Sequence, residues 1–128
     1  MQLNLKVLVV DDFQTIRNIM KSILKKLGLT NIVEADNGSS ALNVLQNHKI
    51  DLVFADCNMP GMSGIELLKA VRADENLKHI PFIMVTAEAQ KARILEAIKA
   101  GVSAYVIKPF TIDIIKDRLS KIMPQLFE

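Results

Sequence analysis

The sequence predicts an α/β fold: a single-domain, doubly wound, five-stranded parallel sheet with helices on both faces. Three observations carry this. Short apolar runs of strand length alternate with longer stretches of helical spacing along all 128 residues. The runs lack polar alternation, as strands buried on both faces should. Four of them stop on a polar side chain: Val7–Val10 on Asp11-Asp12, Leu52–Ala55 on Asp56, Phe82–Val85 on Thr86, and Ala104–Ile107 on Lys108-Pro109.

The elements follow in order. Leu5–Val10 is the first strand. Ile16, Ile19, Met20, Ile23, Leu24 and Leu27 then mark one face of a helix, and Gly28 closes it in the left-handed conformation that glycine tolerates. Ile32–Ala35 is a short second strand, broken by Asn37-Gly38; Ala41, Leu42 and Leu45 begin the second helix. Asp51–Ala55 is the third strand. Pro and Gly make Asn58–Gly64 a loop, from which Ser63 can cap the helix carrying Ile65, Leu67, Leu68 and Val71. Pro81–Val85 is the fourth strand, and a helix from about Ala89 to Ala100 ends at Gly101. Ser103–Ile107 is the fifth strand. Thr111 caps a last helix through Ile115, Leu119 and Ile122, stopped by Pro124.

Composition narrows the function. The chain is one domain, residues 1–128, with 50% hydrophobic and 23% charged residues, which excludes a disordered segment. Its net charge of +2 gives no basic stripe for nucleic acid. Arg17, Lys21, Lys25 and Lys26 are read as the solvated face of the first helix. One cysteine, Cys57, excludes an internal disulfide and a cysteine-based zinc site. Without a signal peptide or a bilayer-length apolar run, a cytoplasmic monomer is expected.

Sites in open parallel sheets form at the carboxyl ends of the strands. Side by side, these strands bring Asp11, Asp12 and Asp56, the Thr86 hydroxyl and the Lys108 ammonium to one rim. Three acids on one rim repel, and Mg²⁺ removes that cost with a few carboxylates plus water and phosphate oxygens. Asp12 is also expected to cap the first helix. Asp56 precedes a loop instead and is free to act as a nucleophile, forming an aspartyl-phosphate. Lys108 and Thr86 would then supply donors to the phosphoryl oxygens.

Asp11-Asp12, Asp56, Thr86 and Lys108-Pro109-Phe110 together resemble the signature of two-component response-regulator receiver domains. The resemblance runs from about Leu5 to Met123. In Val9–Phe13, Asn58–Pro60, Met84–Ala89 and Tyr105–Thr111 the chain is similar to single-domain chemotaxis regulators almost residue for residue. The resemblance implies a flavodoxin-like strand order 2-1-3-4-5. It implies Asp56 as phosphoacceptor from a sensor histidine kinase, and Mg²⁺ held by Asp11, Asp12, Asp56 and the Asn58 carbonyl. It further implies that Thr86 and Lys108 would bind the phosphoryl group and that Thr86 and Tyr105 would act as the switch. The Lys108–Pro109 bond is implied to be cis. The resemblance implies as output a protein–protein contact at Ala89, Lys91, Ile94, Tyr105, Arg118 and Lys121, with Ile94 outward, to the flagellar motor switch, with a dedicated phosphatase as a further expected partner. No output domain is expected after Glu128.

Two positions depart from the family. Cys57 stands where chemotaxis regulators carry tryptophan, and Ser63-Gly64 stands where Asp-Gly is common. Cys57 is read as a small packing residue of the rim, with no basic neighbour in sequence to activate it. The alternatives are a stand-alone receiver in another phosphorelay, a small aspartate-nucleophile phosphatase and a flavodoxin. The phosphatase needs Asp-x-Asp after the first strand. The flavodoxin needs a hydroxyl- and Gly-rich phosphate loop where this chain has Asp11-Asp12-Phe13-Gln14.

Overall fold

Alternate residues along each strand build two cores, one on either face of the sheet. Leu8, Val10, Val53, Ala55, Phe82 and Met84 face one way, and Val7, Val9, Leu52, Phe54, Ile83 and Val85 the other. The computed structural model, which describes residues 4–127, places strands β1 (Lys6–Val10), β2 (Asn31–Ala35), β3 (Leu52–Ala55), β4 (Phe82–Thr86) and β5 (Ala104–Ile107) in one parallel sheet of order β2-β1-β3-β4-β5. Helices α1 (Gln14–Lys26), α2 (Gly38–Asn47), α3 (Gly64–Ala73), α4 (Lys91–Lys99) and α5 (Ile112–Ile122) connect and follow them, and a 3₁₀ turn covers Pro124–Phe127. Met20, Ile23 and Leu24 of α1 and Ile115 and Leu119 of α5 cover one face. Ala41 and Leu45 of α2 and Ile65, Leu68 and Val71 of α3 cover the other. Each large apolar side chain so buried contributes roughly 1.5–3 kcal/mol, more than any single cap.

Register aligns the functional ends. Val10 pairs with Ala35 on one side and Ala55 on the other, Ala55 pairs with Met84, and Thr86 pairs with Ile107. The ladder continues one step past the strands: Asp56 N–H donates to Val10 O at 3.0 Å and Lys108 N–H to Thr86 O at 2.8 Å. Asp11 and Asp56 therefore leave the sheet at the same level.

Most boundaries fall within a residue or two of the sequence reading, and two differences have clear causes. α4 starts at Lys91 rather than Ala89, because Thr86 Oγ1 accepts the Glu88 N–H at 3.2 Å and Glu88 Oε1 accepts the Gln90 N–H at 3.1 Å. These local bonds hold the segment as a turn. Asp12 does not cap α1: the cap position is Phe13, whose N–H donates to Asp11 Oδ1 at 2.9 Å. The Ser63 cap is present and forms a full box, with Ser63 Oγ accepting from Glu66 N–H and Glu66 Oε1 from Ser63 N–H. Gly28 and Gly101 both have positive φ, at 92° and 94°. The Lys108–Pro109 bond is cis. On α1, Arg17 and Lys21 pair with Glu34, and Lys25 and Lys26 are exposed. No helix among the described residues is long and apolar enough to cross a membrane.

Gly64 sets how closely α3 approaches the site. A Cβ there would lie 1.9 Å from the Asp56 carbonyl oxygen and 3.0 Å from Cys57 Cα, both backbone atoms. Gly64→Ala is therefore expected to cost about 1–3 kcal/mol as α3 is pushed off β3. A lower urea midpoint at unchanged slope checks this; an unchanged midpoint would show that the loop absorbs the methyl.

Candidate functional site

The polar residues that end the strands meet at one rim. Asp11 and Asp56 are 3% and 7% exposed and Thr86 only 1%, so this is a buried polar cluster in a protein whose other buried side chains are apolar among the described residues. Asp11, Asp12 and Asp56 each offer a carboxylate oxygen within 4.8 Å of the others. Lys108 Nζ answers them, at 2.8 Å from Asp11 Oδ2 and 3.5 Å from Asp56 Oδ2. Arg17 Nη1 donates to the Asp11 carbonyl at 2.6 Å and fixes the turn from behind. Among the described residues, Asp56 Oδ1 accepts only a long contact from the Asn58 N–H, at 3.4 Å. A carboxylate held that loosely keeps lone pairs for chemistry.

Asp12 Oδ1 is the one buried side-chain polar atom without a hydrogen-bond partner among the described residues. A buried carboxylate oxygen left unpaired is costly, and a hard cation beside three carboxylates would satisfy it. The acid set therefore fits a divalent cation. A cleft of about 630 Å³, lined by Asp12, Asp36, Asn37, Ser39, Pro60, Gly61 and Met62, opens beside these acids. Another of about 350 Å³, lined by His48 and His79 among others, lies at the opposite end of the strands and has no part in this site.

Thr86 and Tyr105 are linked through one residue that the sequence reading passed over. The Glu88 N–H donates to Thr86 Oγ1, and the Glu88 carbonyl accepts from the Tyr105 hydroxyl at 2.7 Å. Because both bonds use the Glu88 backbone, residue type gives no signal for them. Burial pushes the Tyr105 hydroxyl up to about 12, with the neighbouring Cys57 and Glu88 adding to it. Cys57 is fully buried, not on the rim surface, and burial pushes its thiol up. A basic neighbour does reach it: Arg93 Nη2 lies 3.6 Å from Sγ, across 36 residues of sequence.

The residues expected to meet a partner are placed unevenly. Ala89 and Lys91 are exposed, while Ile94 is half-buried; the outward apolar residues of α4 are Leu95 and Ile98, 45% and 57% exposed. Lys91, Leu95 and Ile98 fall at i, i+4 and i+7, so they share a face that Ile94 only borders. Tyr105 and the exposed Ile107 point to the same side of edge strand β5. Arg118 and Lys121 share a face of α5, but both reach Asp117, so the basic rim is partly neutralised.

The response regulator receiver domain model matches residues 7–120. The chain belongs to the response-regulator receiver family. It is 52% identical over 122 residues to the chemotaxis protein CheY of Pseudomonas aeruginosa, covering 95% of this chain and 98% of that protein. It is also 52% identical to CheY-3 of Vibrio cholerae, covering 96% of this chain and 95% of that protein. Among solved structures, CheY4 of Vibrio cholerae superposes with a TM-score of 0.85 at 32% identity, over 93% of this chain and 98% of that one. The receiver domain of sensor histidine kinase PA1611 from P. aeruginosa, solved with magnesium in its active-site cleft, gives 0.85 at 24% identity over 95% and 99%, a likeness in fold.

This receiver has one tyrosine and no tryptophan, so near-ultraviolet titration reads Tyr105 alone. Its ionisation is expected near pH 12 instead of the ordinary 10. Since the folded value is the higher one, the native protein keeps a proton that the unfolded chain loses, and stability should fall as pH rises between those values. Ionisation at the ordinary value in the native protein would place the hydroxyl in solvent.

Proposed function

We propose that this receiver accepts a phosphoryl group on Asp56 from the phosphohistidine of a sensor kinase and signals by protein–protein binding in chemotaxis, with the flagellar motor switch as its output. The observation that supports this best is the position of the Lys108 ammonium between Asp11 and Asp56, beside an unpartnered Asp12 oxygen. Mg²⁺ held by Asp11, Asp12, Asp56 and the Asn58 carbonyl would, when bound, supply positive charge against the phosphoryl oxygens.

The chain's own residues do the rest. An Asp56 carboxylate oxygen forms the new P–O bond as the P–N bond of the phosphohistidine breaks, and the leaving imidazole keeps the electron pair. Lys108 offsets the charge gathered around the transferred group. Thr86 Oγ1 accepts from Glu88, which leaves its own proton free to donate to a phosphoryl oxygen. Moving the hydroxyl to that oxygen loosens the Glu88 turn, which Tyr105 holds from the other side. Because Glu88 leads into α4, the change reaches the face carrying Ala89, Lys91, Ile94, Leu95, Ile98, Tyr105, Arg118 and Lys121. Apolar residues flanked by cations suit an acidic amphipathic segment. The chain turns over no separate substrate in this reading, which makes it a switch and not an enzyme.

With Mg²⁺ and acetyl phosphate, one phosphoryl group should add; Asp56→Asn should abolish the reaction and chelation should suppress it. Labelling that survives both would overturn the assignment. Beryllofluoride should tighten binding of an acidic motor-switch peptide by about 5–150-fold, the common range of allosteric coupling. Thr86→Ala should cut that tightening more than it weakens Mg²⁺ binding. Equal peptide affinity in both states would move the output elsewhere, as in a receiver that feeds another phosphorelay.

A further inference from the structure

α4 begins without the usual supports. Among the described residues its cap, Gln90, supplies no side-chain hydrogen bond, and its first turn holds no acid. Lys91 and Arg93 instead place cations at the positive end of the helix dipole, where they are disfavoured. Something outside the helix must hold this turn.

Arg93 is fixed by two contacts. Its Nη1 donates to Glu96 Oε1 at 2.9 Å, and its Nη2 reaches Cys57 Sγ at 3.6 Å. Glu96 in turn pairs with Lys69 of α3 at 3.2 Å. Cys57 directly follows Asp56 and is fully buried, so its sulfur is a neutral contact and weak acceptor, not a nucleophile. Tyr105 also neighbours it, and its hydroxyl donates to the Glu88 carbonyl at the entrance to α4. The small side chain at position 57 leaves room for the guanidinium; a bulky one would exclude it.

We propose that Arg93 is a positioning residue. By resting on Cys57, its guanidinium pins the first turn of α4 to the segment that follows β3 and carries Asp56, and holds Tyr105 in its Glu88-bonded position. This rests on the reading of Tyr105 as the switch residue. Its consequence is a receiver whose Glu88-bonded Tyr105 state is already favoured before any phosphoryl transfer.

The test uses the unphosphorylated protein. Tyr105 is the sole tyrosine in a chain without tryptophan, so acrylamide quenching of intrinsic fluorescence reports its exposure directly. Amide exchange in the first turn of α4 reports the pin. Arg93→Ala and Cys57→Ala should each increase quenching and speed exchange by about 5-fold, the equivalent of one net hydrogen bond of about 1 kcal/mol. The double variant should do no more than either single one, because both remove the same contact. Cys57→Ser, which keeps a small acceptor, should behave like the wild type. Arg93→Lys keeps the charge but loses the fork that spans Glu96 and Cys57, and should behave like Arg93→Ala. Unchanged quenching in Arg93→Ala, additive single effects, or wild-type behaviour in Arg93→Lys would each overturn the proposal. None of these readouts involves Asp56 chemistry, so failure of phosphoryl transfer would overturn the proposed function and leave this inference standing.

Discussion

Carboxylates at positions 11, 12 and 56 repel one another across less than 4.8 Å, and the rim is arranged around that repulsion. At an effective dielectric of about 20, each pair of charges at such a separation costs roughly 3–4 kcal/mol. Parallel register creates the problem, because Val10 and Ala55 lie opposite each other and deliver Asp11 and Asp56 to the same level. Lys108, brought from β5 at the far edge, answers part of it. Among the described residues, Asp12 Oδ1 stays without a partner. A rim short of positive charge suits a cation and, with it, an anionic group, which is what the proposed chemistry requires.

Rigidity is distributed to suit. β1, β3 and β4 are buried on both faces, and α3 is boxed at its start and seated against Asp56 by Gly64. These parts carry the acids. α4 is built differently: only Ala97 is buried, its cap gives no side-chain bond, and its entry turn hangs on the Glu88 backbone and on Arg93. Elements with few buried apolar contacts are the ones that open or shift at low cost. The contrast sets the less supported element beside a rigid rim, an arrangement that suits the proposed switch.

Much of this was legible in the sequence because the signals are local. Unbroken apolar runs mark strands buried on both faces, and their polar stops, Asp11, Asp56, Thr86 and Lys108, are the residues that meet at the polar rim. Helix closures at Gly28 and Gly101 and the cap at Ser63 follow from backbone preferences that act within a few residues. The family resemblance added the strand order, since crossover rules narrow the choice of topology without selecting one.

Tertiary structure decided what depends on distant neighbours. Asp11 accepts the Phe13 N–H through Oδ1, a local turn, while its Oδ2 meets the Lys108 ammonium from 97 residues away. Ile94 and Leu95 both fit the helical period of α4. Ile94 is half-buried and Leu95 exposed because the helix rests on Ala97. Cys57 has no cation near it in sequence, yet Arg93 reaches its sulfur from 36 residues away. Sequence by itself determined the elements and the residues at their ends, because those rest on local backbone preferences and hydrophobic burial. Which side chains meet, and which oxygen is left unpaired, depended on the packing of helices across the sheet, where no local preference reaches.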